Sequence, residues 1–349
     1  MPRPSSISNF KRWGGLALFA LLVVLGVSAG GRAYQNAAAQ NTINAFTAQR
    51  YRDFYDLPEG DVDLLFLGSS HSYCTFDPAN FPGWNAYQLG TPLQHPDTSY
   101  YALRDALEHQ SPRVVVQEVY WDMLDDDFDL KQVGSFFEVL ENEPLRREYI
   151  QKVFPLAEKA KYRMAAIRFQ SDYFAYASAQ LQKELGERFG VEKPAAAAGN
   201  GVEYYLARGY VYCDTVMPPA EYDETNQFKG MEGKSFAIAA SQKKYLTQLA
   251  ELCAERGIAL VFVTAPIAPV SLDYIADYDA IHQQIAALAA ELNVPYLDYN
   301  QLSLGLQNNV HFRDDAHLND TGVKAVDEHF SAWLSATLQE QGFPQNAGF

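Results

Sequence analysis

Short apolar runs and longer amphipathic stripes alternate along most of this chain. Asp61-Val-Asp-Leu-Leu-Phe-Leu67 is a run of strand length that stops at Gly68, so a strand is predicted over 62–67. A second, shorter strand is predicted over 85–89, closed by Gly90-Thr-Pro92. Tyr100, Leu103, Ala106 and Leu107 recur at helical spacing within 97–109, and Ser111-Pro112 breaks that helix. Arg113-Val-Val-Val-Gln-Glu-Val-Tyr120 reads as a buried strand. The same rhythm resumes with a helix over 234–256 ended by Gly257, a strand over 258–264 and a helix over 276–292. A strand over 294–298 and a closing helix over 320–338 complete it, the latter with Ala325, Val326, Phe330 and Leu334 on one face. Strands alternating with helices imply a mainly parallel sheet covered on both faces, an α/β fold of three α/β/α layers.

Two regions depart from this rhythm. Residues 121–233 are rich in aromatics and charges, with helical patterns near 143–165 and 170–189. They are expected to form a mostly helical insertion that serves as a lid or substrate surface. At the other extreme, Lys11 and Arg12 precede an uncharged apolar stretch from Trp13 to Gly31, and the next charge is Arg32. That length is near the minimum of about 17–25 residues for crossing a bilayer, and the leading charges favour a cytoplasmic N-terminus. Two readings stay open. Residues 1–32 are a retained single-pass anchor, or they are a cleaved signal, for which Val27-Ser28-Ala29 and Ala37-Ala38-Ala39 resemble cleavage sites. Both place the rest outside the cytoplasm, either tethered to the cell membrane or secreted to the periplasm or beyond. Residues 33–60 are expected to be a helical stalk or linker, 61–340 the α/β domain with its insertion, and 341–349 a tail.

Composition narrows the function classes. Hydrophobic residues at 48% and charged residues at 20% suit a packed core. A formal net charge of −16 argues against a nucleic-acid surface, which needs concentrated Lys and Arg. Cys74, Cys213 and Cys253 are too few and too scattered for a disulfide framework or a zinc knuckle, and read as buried small hydrophobes.

The chemistry-bearing motifs lie at opposite ends of the chain. Gly68-Ser69-Ser70-His71-Ser72 follows the first predicted strand, at the carboxyl end where parallel sheets bind ligands. Glycine permits a sharp turn, and a following helix N-terminus offers N–H groups to a developing oxyanion. The plainer alternative is that these serines only cap a helix. Asp314-Asp315-Ala316-His317-Leu318-Asn319, followed by Gly322, precedes the last helix. Asp314 and His317 are spaced to share one side of a turn, so together the motifs supply the parts of a Ser-His-Asp acyl-transfer centre. A metal site built from His311, Asp314, Asp315 and His317 is a weaker alternative, as is a nucleophilic Cys74. Asp125-Asp126-Asp127 lacks the ligand spacing of a calcium loop and reads as solvated. Tyr204, Tyr205, Tyr210 and Tyr212 are candidates for stacking on sugar rings, or for core and rim.

These blocks resemble the SGNH (GDSL-like) hydrolase superfamily, whose fold is flavodoxin-like. The resemblance covers the α/β parts of the chain and makes Ser70 the implied nucleophile, His317 the base and Asp314 its orienter. Ser69 takes the place of the usual aspartate. Gly90, in Tyr87-Gln-Leu-Gly90, resembles the second block, so the implied oxyanion donors are the Ser70 and Gly90 N–H groups. The asparagine of the third block has no counterpart, the strand reading Val116-Gln-Glu-Val-Tyr120, and His71 and Glu118 are accessory candidates. The Gly-Ser-Ser start is similar to that of membrane-tethered D-alanyl transfer proteins of teichoic acid modification and of polysaccharide O-acetylation factors. His71 stands where the D-alanyl proteins carry glutamate.

The resemblance implies an extracytoplasmic serine acyl hydrolase or acyltransferase. Its expected substrates are O-acyl groups, acetyl above all, of a cell-envelope polysaccharide, with no metal or other cofactor. An integral-membrane protein that passes acyl groups across the bilayer is the implied partner. The alternatives are a non-catalytic binding or assembly factor for polysaccharide export, motivated by the missing asparagine, and a D-alanyl transfer protein.

Overall fold

Five short strands pair side by side, all parallel, in the order Ala86–Gln88, Leu64–Leu67, Val114–Glu118, Ala259–Thr264 and Tyr296–Asp298. The computed structural model describes residues 13–26, 28–30, 45–128, 136–137, 139–163, 202–231 and 233–343. In chain order the elements are α1 (Ala45–Tyr55), β1 (Leu64–Leu67), α2 (Ser70–Tyr73), β2 (Ala86–Gln88), α3 (Pro96–Ala106) and β3 (Val114–Glu118). Next come α4 (Glu143–Val153), α5 (Leu156–Arg163), β4 (Tyr204–Tyr205) and β5 (Val211–Tyr212). The chain continues with α6 (Ala240–Arg256), β6 (Ala259–Thr264), α7 (Pro269–Leu272) and α8 (Tyr278–Glu291). It ends with β7 (Tyr296–Asp298), α9 (Asn308–His311) and α10 (Asp320–Glu340). Every strand expected from an apolar run is present, each a little shorter than its run. The expected helix over 170–189 lies outside the described residues.

Because successive strand residues face opposite ways, each strand contributes to two cores. Leu64, Phe66, Val114, Val116, Val261 and Val263 share one apolar cluster with Val323, Val326, Phe330, Leu334 and Leu338 of α10. Their neighbours Leu65, Val115, Leu260 and Phe262 point the other way and are equally buried. On that side α3 packs on α6, and the two helices contact β1 and β6 respectively. The result is the three-layer α/β/α arrangement.

The chain divides into two compact units. The larger holds 44–145 and 197–349, and with them the sheet. The smaller holds 1–43 and 146–196, where the rings of Tyr149, Phe154 and Tyr162 pack edge to face. In that smaller unit, Trp13–Gly30 is a helix long and apolar enough to cross a membrane, with its large side chains exposed.

The expected linker over 33–60 needs correction in its second half. Residues 45–55 form α1, and Ala48, Tyr51 and Phe54 are buried in the larger unit. They recur three to four positions apart, an amphipathic signal carried by rings within a polar segment. Phe54 meets Tyr87 of β2 edge to face at 5.1 Å.

The ring of Phe330 is the hub of the α10 core. It lies 4.9 Å from Phe76, 6.1 Å from Phe81 and 5.6 Å from Trp333. Phe330→Ala is expected to cost about 3–5 kcal/mol of unfolding free energy, read as a lowered denaturant midpoint with an unchanged slope.

Candidate active site

In the order 2-1-3-6-7 the strands β2 and β3 flank β1 on opposite sides, so the chain reverses direction across the sheet next to β1. A crevice opens beyond the carboxyl ends of strands at such a point. Gly68 leaves β1 there with φ +134, and a Cβ on it would lie 2.6 Å from Glu118 Cβ. Only glycine meets both demands. Ser69 then caps α2. Its Oγ accepts the His71 N–H at 3.2 Å and donates to Glu118 at 2.9 Å, while the Ser69 N–H donates to the same carboxylate oxygen at 3.1 Å. The capping role foreseen for the serines therefore belongs to Ser69, and Ser70 begins the helix with its hydroxyl free for other use.

The second motif is shaped by its own local bonds. Phe312 and Leu318 bridge in antiparallel fashion, and Arg313 N–H donates to His317 O at 3.0 Å, pinching residues 313–317 into a tight loop. Inside it, Asp314 Oδ1 accepts the N–H groups of Ala316 at 2.9 Å and His317 at 2.7 Å. Asn319 caps α10 by accepting the Gly322 N–H at 3.1 Å, and its Nδ2 donates to Val310 O at 2.9 Å. A Cβ at Gly322 would meet His311 O at 2.2 Å, which accounts for the glycine three residues after Asn319.

These two loops bring the expected residues together. His317 Nε2 lies 2.9 Å from Ser70 Oγ. His317 Nδ1 lies 3.0 and 3.1 Å from the two oxygens of Asp314. Burial opposes the charge of Asp314, but His317, Arg313 and the Ala316 N–H outweigh it and hold the carboxyl well below the usual range. With Asp314 ionised, Nδ1 carries a proton and Nε2 is left to accept from Ser70.

Gly90 is placed as expected but its donor is engaged. A Cβ there would meet Gly68 O at 2.6 Å, so glycine lets the β2 loop close on the β1 turn. Its N–H, however, donates to Gln88 Oε1 at 2.9 Å, so the expectation of an open Gly90 donor is corrected. Gln88 is oriented for this by its Nε2, which donates to Ser72 Oγ at 3.0 Å. The Ser70 N–H, in the first turn of α2, has no partner among the described residues.

The two accessory candidates differ in kind. Glu118, from the end of β3, holds the Ser69 cap from outside its own segment. Burial pushes its carboxyl up to about 7 against the two Ser69 bonds, and its Oε1 has no hydrogen-bond partner among the described residues. His71 is buried beside His317 and is held well below the usual histidine range, by burial first and by His317 next.

The rival readings find other partners. His311 Nδ1 accepts the Gln307 N–H at 3.0 Å, and Asp315 accepts from Gln227 N at 2.6 Å and Nε2 at 2.5 Å. His311 and Asp315 are thus engaged away from the Asp314–His317 pair, and no metal-holding group of three or more His, Cys, Asp or Glu occurs among the described residues. The Cys74 thiol is pushed up to about 12 by burial, too high for a nucleophile at neutral pH, and all three cysteines are buried and unpaired. In the Asp125–Asp127 run, Asp127 accepts from Ser241 at 2.6 Å. Of the four tyrosines, Tyr210 is core and Tyr205 donates to Asp53 at 2.8 Å, while Tyr204 and Tyr212 pair on the β4–β5 hairpin.

Arg313 and Glu203 were not foreseen. Arg313 Nη1 bonds Glu203 of the hairpin at 2.5 Å, and its Nε approaches Asp314 to 3.4 Å. The available signal was a basic residue beside the Asp-x-x-His string.

No family model and no curated protein matches this chain. It is similar to a solved structure from Bacteroides fragilis described as an acylhydrolase, at 14% identity and a TM-score of 0.41, covering 83% of this chain and 96% of that one. A GDSL-like lipase from Bacteroides thetaiotaomicron is similar at 11% identity and a TM-score of 0.40, covering 84% and 98%.

Glu118 generates a stability prediction. Its folded pKa lies above the unfolded value, so between about pH 4.5 and 7 the folded state binds the extra proton and stability falls as pH rises. The full penalty, about 3 kcal/mol, is present above pH 7. Glu118→Gln removes the titration, so its unfolding free energy relative to wild type is expected to climb by about that amount between pH 5 and pH 8. A flat difference across that range would refute it.

Proposed function

We propose that this chain is an SGNH-type serine acyl hydrolase or acyltransferase that works outside the cytoplasm on O-acyl groups, acetyl in particular, of a cell-envelope polysaccharide. The observation that carries the chemistry is the 2.9 Å contact between Ser70 Oγ and His317 Nε2, backed by Asp314 on Nδ1. Ser70 Oγ attacks the acyl carbonyl carbon as His317 Nε2 takes its proton. Asp314 holds the imidazole tautomer and stabilises the imidazolium. The Ser70 N–H donates to the oxyanion. Collapse releases the sugar hydroxyl, which regains the proton from His317 and leaves Ser70 acylated. Water or a second hydroxyl, deprotonated by His317, then accepts the acyl group and restores Ser70.

The envelope setting rests on different support. The apolar Trp13–Gly30 helix suits a membrane anchor or an export signal. The Gly-Ser-Ser start resembles membrane-tethered polysaccharide-modifying proteins, and the exposed Tyr204 with Tyr212 on the hairpin offers rings of the kind that stack on sugars. A binding factor without catalysis is the second reading. Engagement of the Gly90 N–H by Gln88 favours it, because a site short of oxyanion donors loses on the order of a hundredfold in rate per donor.

Treatment of the full chain, in detergent, with a serine-directed phosphonate separates the readings by peptide mapping. Labelling is expected on Ser70, to be absent in Ser70→Ala, and to slow about a thousandfold or more in His317→Ala. Folded wild-type protein that takes no label would sink the catalytic reading in favour of the binding factor. Hydrolysis of an aryl acetate by the labelling-competent protein, lost in Ser70→Ala, is the expected result for the acetyl preference.

A further inference from the structure

His71 follows Ser70 in α2, and its imidazole has no role in the proton path above. Its ring lies face on between two others. The Tyr120 ring is 3.8 Å away at an interplanar angle of 25°, and the His317 ring is 4.7 Å away at 29°. The stack therefore runs Tyr120, His71, His317, and its last member is the group bonded to Ser70 Oγ. His71 is 4% exposed, and its Nδ1 has no hydrogen-bond partner among the described residues. Its orientation is set by its stacking neighbours rather than by a bond at that nitrogen.

The geometry assigns His71 a positioning role: its ring, braced from behind by Tyr120, fixes the plane of the His317 imidazole so that Nε2 faces Ser70 Oγ. This rests on the reading of Ser70 as nucleophile. Asp314 anchors His317 at Nδ1, but a hydrogen bond at one ring nitrogen leaves the imidazole able to tilt about that contact. A flat neighbour at stacking distance removes that freedom, and small misplacements of reacting groups are costly in rate. The brace must also stay uncharged, since a cation against His317 would oppose the imidazolium that forms when it takes the Ser70 proton. The groups that act on His71 are His317, Asp314 and Arg313 from the last loop, and Tyr120, two residues past the end of β3, stacks on its ring. Burial together with His317 and Arg313 outweighs Asp314 and keeps His71 neutral. The aromatic face, not the imidazole nitrogen, is then the part that acts, so phenylalanine is expected to replace it.

The test uses the full chain in detergent with two readouts, the rate of Ser70 phosphonylation and the NMR shift of the His317 Hε1 proton in histidine-labelled protein. In His71→Ala the rate is expected to fall by about 10–100-fold, and the His317 proton to lose its ring-current shift. His71→Leu, which keeps side-chain volume without an aromatic face, is expected to show the same loss and takes over if the alanine variant does not fold. His71→Phe is expected to restore the ring-current shift and to bring the rate within about threefold of wild type. A wild-type rate in His71→Ala or His71→Leu overturns the proposal. So does a His71→Phe protein that regains the shift yet stays as slow as His71→Ala, because the imidazole nitrogen would then be the acting group. Failure of the nucleophile reading looks different: wild type would take no label while the His317 shift still reported the stack.

Discussion

The close approach of Glu118 to Gly68 is the constraint on which the site depends. The ends of β1 and β3 come together so tightly that Glu118 Cβ occupies the space a side chain at 68 would need. The chain can leave β1 only by a turn open to glycine, and that turn delivers Ser69 to the Glu118 carboxylate and Ser70 to the first turn of α2. Gly90 repeats the device on the other flank, where the β2 loop comes within 2.6 Å of Gly68 O at the position of its missing Cβ. Two glycines on adjacent strands thus convert a parallel sheet edge into a seat for a serine. The buried carboxylate shared by the Ser69 N–H and Oγ holds that seat from below.

Much of this was legible in the sequence because the information is local. Apolar runs of strand length bounded by Gly and Pro mark all five strands, and the Asn319 cap with Gly322 marks the start of α10. The Ser70–His317–Asp314 array was legible because each of its motifs keeps its shape through short-range bonds: Ser69 caps its own helix, and Asp314 accepts from Ala316 and His317. What escaped notice is long-range. Gln88 reaches Gly90 and Ser72 only once β2 lies beside β1. The Tyr120–His71–His317 stack joins three segments that share no spacing. Residues 45–55 read as helical stalk or linker because three buried apolar positions among polar residues give a weak periodic signal, and packing against β2 is what makes that helix part of the domain.

The loop that carries His317 is also tied to the β4–β5 hairpin. Glu203 bonds Arg313, Arg313 approaches Asp314 and Asp314 bonds His317, so an acidic residue beside the hairpin strand β4 is three contacts from the imidazole. Burial opposes the charge of Arg313, but the carboxylates of Asp314 and Glu203 outweigh it and Arg313 remains charged. Asp314 therefore shares its charge between an arginine and a histidine, and the hairpin bearing Tyr204 and Tyr212 is joined to the electrostatics of the site by an ion pair.

Ser70 and His317 are separated by 247 positions, yet they meet at hydrogen-bond distance. Closing so long a loop is a step the chain completes only when both ends of the α/β unit have been made and docked. Fragments ending before the Asp314–His317 loop hold Ser70 without His317. On the proposed reading of Ser70 as nucleophile, a nascent chain still short of that loop has no base for it, and reactivity at Ser70 doubles as a report that both ends of the unit have closed. On that reading the arrival of chemistry and the completion of assembly are one event.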